Sequence, residues 1–186
     1  ALLEMNGGTL QSGTVGEGSA GTININVRNL DLHNNAAVDL RTFGSGNAGK
    51  VQIKAAEAVT VNESHFWADA MGSGQAGSIT ILAPVITLNV GELAATTYGS
   101  GQAGEIHLIA LDSVTLTDQS KIQVYSSYSE TESRLGDAGH IRIETGLLSI
   151  LDSTLDAFSG NLASAGSIEV IADQIYSDNT VAEDGT

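Results

Sequence analysis

Ala48-Gly49-Lys50-Val51-Gln52-Ile53 is an Ala-Gly turn leading straight into an alternating strand, and it is one of six such copies in the chain. The others begin at Ala20, Ala76, Ala103, Ala138 and Ala165, and read Ala-Gly-Thr-Ile-Asn-Ile, Ala-Gly-Ser-Ile-Thr-Ile, Ala-Gly-Glu-Ile-His-Leu, Ala-Gly-His-Ile-Arg-Ile and Ala-Gly-Ser-Ile-Glu-Val. Their glycines stand at 21, 49, 77, 104, 139 and 166, giving spacings of 28, 28, 27, 35 and 27 residues. Self-similarity at that period is the signature of a solenoid, in which one supersecondary unit buries its apolar face only against its neighbours. The 186 residues therefore count coils rather than domains, and a single continuous repeat domain over 1–186 is expected.

Each period divides into three short alternating segments separated by turns, the form of a three-faced β-coil. Period-two alternation sends Val51 and Ile53, Val59 and Val61, then Phe66 and Ala68 inward in one coil. The next coil offers Ile79, Ile81, Ile86, Leu88, Leu93 and Ala95, and the one after it Ile106, Leu108, Val114, Leu116, Ile122 and Val124. Ile23, Val51, Ile79, Ile106, Ile141 and Ile168 each follow the Ala-Gly turn by two residues and are expected in one interior stack. Between the second and third segments lie Asn6-Gly7-Gly8, Asn34-Asn35, Asn62-Glu63-Ser64, Asn89-Val90-Gly91, Asp118-Gln119-Ser120 and Asp152-Ser153, residues suited to a sharp corner with left-handed backbone.

After the third segment, a G-x-G-x-x-G stretch occurs four times, starting at Gly16, Gly44, Gly72 and Gly99. A dinucleotide site needs a helix after these glycines to hold pyrophosphate at its amide end, whereas here strand residues follow. The motif reads as architecture.

Composition narrows the function classes. With 22 acidic against 7 basic residues the net charge is −15, which repels nucleic-acid phosphates and anionic lipid, so neither nucleic-acid binding nor membrane insertion is expected. There is no cysteine, no apolar run near 18 residues and no basic n-region at Ala1-Leu2-Leu3-Glu4. The outward positions form axial columns, which place Glu105 beside His140 and Arg142 beside Glu169 as stacking support. Four scattered His residues and the pairs Asp112/Asp118 and Asp152/Asp156 make no clustered catalytic constellation, so no enzyme activity and no cofactor are expected. Calcium-binding Gly-Gly-x-Gly-x-Asp nonapeptides are absent as well.

On the third face, Asp39, Trp67, Ala94, Gln123 and Asp156 form an outward column flanked by Arg41, Asp69, Thr96, Tyr125 and Phe158. Trp67 is the best sugar-stacking candidate, with Arg41 as the alternative occupant of its ring face. The period of 35 carries an insertion at 126–135 containing Tyr128, Glu130, Glu132 and Arg134, and insertions project from solenoid corners where recognition commonly sits. The candidate ligand contacts are thus Trp67, Tyr125, Tyr128, Glu130 and Arg134. Leu3, Met5 and Leu10 fit a preceding coil and Ile175 to Val181 begin another, so end-to-end association through open coil edges is expected.

The run Gly44-Ser45-Gly46-Asn47-Ala48-Gly49-Lys50-Val51-Gln52-Ile53, with its copies at 72–81 and 99–108, resembles the repeat body of filamentous-haemagglutinin-like exoproteins of the two-partner secretion pathway. The resemblance implies an all-β, right-handed parallel β-helix of about six coils, exported to the cell surface or beyond as an adhesin, surface fibre or matrix component. Its implied partners are further copies, surface glycans or other cells. The family's Asn-Pro-Asn-Gly-type secretion signature is not present here. A carbohydrate-binding module or glycan-active enzyme on a β-helix is the alternative.

Overall fold

The computed structural model describes residues 1–126, 136–160 and 163–178, which form an all-β parallel solenoid of about six turns with no helix among them. Long and short strands alternate: β1 (Leu2–Asn6), β2 (Thr9–Gln11), β3 (Thr22–His33), β4 (Ala37–Asp39), β5 (Lys50–Asn62), β6 (His65–Trp67), β7 (Ser78–Asn89), β8 (Glu92–Ala94), β9 (Glu105–Thr117), β10 (Lys121–Gln123), β11 (His140–Leu151), β12 (Thr154–Asp156) and β13 (Ser167–Asp178). The odd-numbered strands stack into one parallel sheet and the even-numbered ones into another, both in coil order.

In the five coils from β3 to β12 all three segments are present, but the first two share a single long strand. The join is marked by irregular pairing between Val27 and Asn29, Lys54 and Ala58, Ala83 and Val85, and Thr145 and Leu147. Small residues face inward just before it: Ala55, Ala83 and Ala110 are buried there. A narrow bend leaves room for a methyl and little more, and a bulge re-aims the chain without ending the ladder.

Register follows the Ala-Gly turn as expected. Ile23 pairs with Val51, Val51 with Ile79, Ile79 with Ile106, Ile106 with Ile141 and Ile141 with Ile168. The four middle members are fully buried and Ile23 packs against the same core, while Ile168 is 44% exposed. Ile168 lies on β13, an edge strand of the sheet, so only one neighbouring strand covers it. Every inward residue named for the three central coils, Phe66 included, is buried.

Beyond the short strands, a further column appears that the three-segment reading did not contain. Thr14, Thr42, Ala70, Thr97, Ser126 and Ser159 pair one to the next by single parallel bridges. The loop that follows is closed within its own coil: the Ala-Gly glycine donates its N–H back to the third face, Gly77 to Ala68 O at 2.6 Å, Gly104 to Ala95 O at 2.8 Å and Gly139 to Val124 O at 2.7 Å.

These corners explain the glycine motif. A Cβ on Gly44, Gly46 or Gly49 would overlap the carbonyl oxygen of Gly16, Gly18 or Gly21 one coil back, and the same overlap recurs at Gly72, Gly74 and Gly77 against Gly44, Gly46 and Gly49. None of these glycines has a left-handed backbone; only Gly7 and Gly8 do among the described glycines. Glycine is needed at this corner for backbone-to-backbone approach rather than for an unusual φ. The opposite corner works the other way. Gly7, Asn34, Glu63, Val90, Asp118 and Asp152 all have positive φ there, from 46° to 70°. Asn34 and Asp118 suit that conformation, and the β-branched Val90 at φ 49° does not.

Candidate functional site

The third face, built from β4, β6, β8 and β10 and the residues that leave them, brings Trp67, Tyr98 and Tyr125 together with Asp39, Arg41, His65, Asp69 and Glu92. Alternation along His65-Phe66-Trp67 sends Phe66 into the core and leaves His65 and Trp67 outside on the same strand. Their rings stack at 4.7 Å between centroids and 10° between planes. The Arg41 guanidinium lies over the Trp67 ring, 4.2 Å from its centroid, and is held there by a bidentate pair to Asp39, with Nε at 2.9 Å and Nη2 at 2.7 Å. Trp67 Nε1 donates to Glu92 Oε2 at 2.8 Å, and Gln123 Nε2 donates to Glu92 Oε1 at 2.7 Å. One carboxylate thus ties β6, β8 and β10 together across three coils.

The electrostatics of this face follow from its contacts. Burial raises the Asp39 carboxyl, and the bonds from Arg41 more than offset that, leaving it below its ordinary value. The hydrogen bond to Asp39 holds Arg41 above its own. Asp69 is 5% exposed, and burial pushes its carboxyl up to about 6 even though Thr96 donates both its N–H and its hydroxyl to Asp69 Oδ1 at 2.8 Å. Glu92 adds to the rise, and Arg41 works against it. Tyr98 and Tyr125 meet hydroxyl to hydroxyl at 2.9 Å with rings edge to face at 6.0 Å, and burial together with the Tyr98 hydroxyl raises Tyr125.

Of the sequence-derived candidates, Trp67 and Tyr125 stand on this face two coils apart. Tyr128, Glu130 and Arg134 lie outside the described residues. The Trp67 ring carries Arg41, raised as the alternative to a sugar, and also His65 as stacking partners. The sequence did not single out His65 and Glu92, because their roles depend on a same-strand stack and a diagonal contact that column membership alone does not specify.

A second polar group stands on the outer face of the long-strand sheet. Glu105 and His140 are register partners, yet the His140 ring turns the other way, with Nδ1 2.7 Å from Ser167 Oγ and Nε2 3.9 Å from Glu169 Oε2. Rotamer choice, which register leaves free, decides this. Arg142 pairs with Glu169 as the columns implied, and also reaches Glu144 at 2.8 Å, where His107 Nε2 arrives at 2.9 Å. Arg142 and His107 hold the Glu144 carboxyl below its ordinary value. A Ser-His-carboxylate sequence is present here, but its acid is engaged by Arg142. The Ser167 and His140 backbone N–H groups are occupied by Gly139 O and Gly104 O at 3.1 Å, so they offer no donor to a developing oxyanion.

Beside this group runs an axial groove of about 820 Å³, floored by the Ala-Gly corners and edged by Lys50, Glu105 and His140. No set of three or more His, Cys, Asp or Glu side chains placed to hold a metal ion occurs among the described residues. Coil-to-coil bonds recur at the left-handed corner, where Asn34 Nδ2 donates to Asn6 Oδ1 at 2.7 Å and Asn89 Nδ2 to Asp118 Oδ2 at 2.6 Å.

No protein-family model matches this chain, and no match was found among curated proteins or solved structures.

Proposed function

We propose that this chain is a non-enzymatic structural or adhesive fibre segment that works outside the cell, as part of a surface adhesin or matrix component. One observation carries the reading: many outward polar side chains on both sheets are engaged with the neighbouring coil. Asn34 bonds Asn6, Trp67 and Gln123 share Glu92, Thr96 holds Asp69, Tyr98 holds Tyr125 and Arg142 holds Glu169. Side chains used this way stiffen a rod and leave few groups free for acid, base or nucleophile work. The repeat run at 44–53, with its likeness to secreted filamentous-haemagglutinin-like repeats, supports export, and a net charge of −15 supports solubility of so repetitive a β surface.

The rod reading predicts particles of uniform thin cross-section that associate end to end through strand edges. Electron microscopy and sedimentation of the isolated chain and of native material test it. A screen of acidic and neutral polysaccharides for new reducing ends or unsaturated products tests the absence of catalysis. Turnover lost in Asp112→Asn or Asp152→Asn would replace the fibre reading with the enzyme one.

A further inference from the structure

The single-bridge column at the third-face exit fixes where the next residue of each coil goes. Phe43 N–H donates to Thr14 O at 2.9 Å, Met71 N–H to Thr42 O at 2.8 Å and Tyr98 N–H to Ala70 O at 2.8 Å, so Val15, Phe43, Met71 and Tyr98 follow one another in register along the axis. All four point outward: Val15 is 83% exposed, Phe43 49%, Met71 39% and Tyr98 41%. Phe158, 63% exposed, continues the band on the adjacent column after β12. At the spacing of about 4.8 Å per paired strand, the five coil steps from Val15 to Phe158 make a stripe about 24 Å long. A contiguous exposed apolar band of this kind marks an interaction surface.

We infer that this stripe is the side-by-side docking surface for a second copy of the same solenoid. Charge is the first argument. The chain carries −15 overall, yet along the middle of the stripe Asp39 is paired with Arg41 and Asp69 is buried under Thr96 bonds, which leaves Glu17 and Asp156 as the acids at its two ends. Two copies that meet on its middle therefore do so with less repulsion than a face of unpaired carboxylates brings. Period is the second argument. A second copy repeats its apolar knobs at the same rise, so every contact made by one coil is available to the next; a partner of different period falls out of step. The chemistry of the stripe is the third. Val15 and Met71 offer aliphatic groups, Arg41 and His65 pack on the Trp67 ring, and the Tyr98–Tyr125 pair is fixed edge to face. That suits apolar packing against protein better than stacking on sugar rings.

A band about 24 Å long and about 10 Å wide covers about 240 Å², well short of the roughly 800 Å² per partner of a stable interface. One such pairing is weak, and longer rods strengthen it by adding like contacts along the same line. This inference rests on the fibre reading, and it supplies the lateral contact that turns single rods into bundles.

The test combines sedimentation velocity over a concentration series with negative-stain microscopy, comparing the wild-type chain with the double variant Phe43→Glu, Met71→Glu. Leu111→Glu, at an 80% exposed apolar site on the long-strand sheet, is the control for added charge, and circular dichroism checks the fold of each. Wild type and control should form double-width particles at about 0.1 mM and above, and the double variant should need about tenfold more protein or more, with particle length unchanged. Equal pairing in the double variant, or single-width wild type at every concentration, overturns the inference. If the wild type stays single and instead binds neutral oligosaccharides through Phe43 and Met71, the stripe is a glycan site and the copy-on-copy assignment is wrong. Particle length reads end-to-end association separately from width, so the fibre reading and the lateral contact fail or survive independently.

Discussion

Replacing Gly74 by alanine tests the close approach of successive coils. In the structure a Cβ at Gly74 overlaps Gly46 O and comes within 3.1 Å of Asn47 N, both backbone atoms of the coil below. Neither can swing aside as a side chain would, so the coils must part locally. The bonds nearest the overlap are Ala48 N–H to Gln75 O at 2.8 Å and Gln75 N–H to Asn47 Oδ1 at 3.0 Å. Losing both costs about 2 kcal/mol, and overpacking strain adds about 1–3 kcal/mol. The reduced entropy of the unfolded chain offsets about 0.4–1 kcal/mol of that. The net is a loss of about 3 kcal/mol, which for a chain of this length lowers Tm by about 6–12 °C. Gly18→Ala is the internal comparison, because a Cβ there meets nothing within 4 Å. With no clash to oppose the unfolded-state term, it should stabilise by about 0.4–1 kcal/mol. Thermal and urea unfolding followed by far-ultraviolet circular dichroism measure both. Equal effects at the two positions, or a neutral Gly74→Ala, would mean that the overlap does not govern coil spacing, since it is what distinguishes them.

Other perturbations address different parts of the structure. Val90→Asn places a residue tolerant of left-handed backbone at φ 49° and should stabilise by about 1 kcal/mol in urea titrations. Phe66→Ala empties the largest fully buried side chain and should cost about 3–5 kcal/mol in the same assay. Asp69 carries a folded-state pKa raised from 3.8 to about 6, so its contribution to stability is complete below pH 4 and is lost as pH rises through about 6. From about pH 3 to above pH 7 wild type should lose about 3 kcal/mol from this group, about 2 kcal/mol of it between pH 4 and 6. Asp69→Asn, whose amide oxygen still accepts from Thr96, should flatten that part of the stability profile. A variant as pH-dependent as wild type over this range would assign the slope to other groups.

The sequence was informative wherever stacking geometry left one solution. An Ala-Gly turn followed by alternating Ile or Val sets register, because a slip of one residue exchanges the two faces, and Val51, Ile79, Ile106 and Ile141 are all buried accordingly. The repeated glycines likewise announced architecture, although the reason, a carbonyl of the preceding coil beneath each Cβ position from Gly44 to Gly77, lies in the coil-to-coil approach and not in the motif itself. Single-residue conformations were harder to read. Glu63 and Val90 adopt left-handed backbone without any local preference for it, because the corner imposes its geometry on whichever residue stands there. The Thr14 to Ser159 column escaped notice because one bridge per coil leaves no alternation to detect. Side-chain pairing was legible for Arg142 with Glu169, where opposite charges face each other in register. For His140 a serine and a glutamate on one side compete with Glu105 on the other, and rotamer preference decides. Trp67 was legible as outward, and its engagement by His65 and Glu92 became visible only with side chains in place.

Imaging the native assembly by electron cryomicroscopy tests the fibre account most directly. The account predicts thin filaments of constant cross-section whose axial repeat is the spacing of parallel strands, about 4.8 Å, with successive chains continuing the same two sheets. Discrete particles that neither share sheets end to end nor show that axial repeat would contradict it.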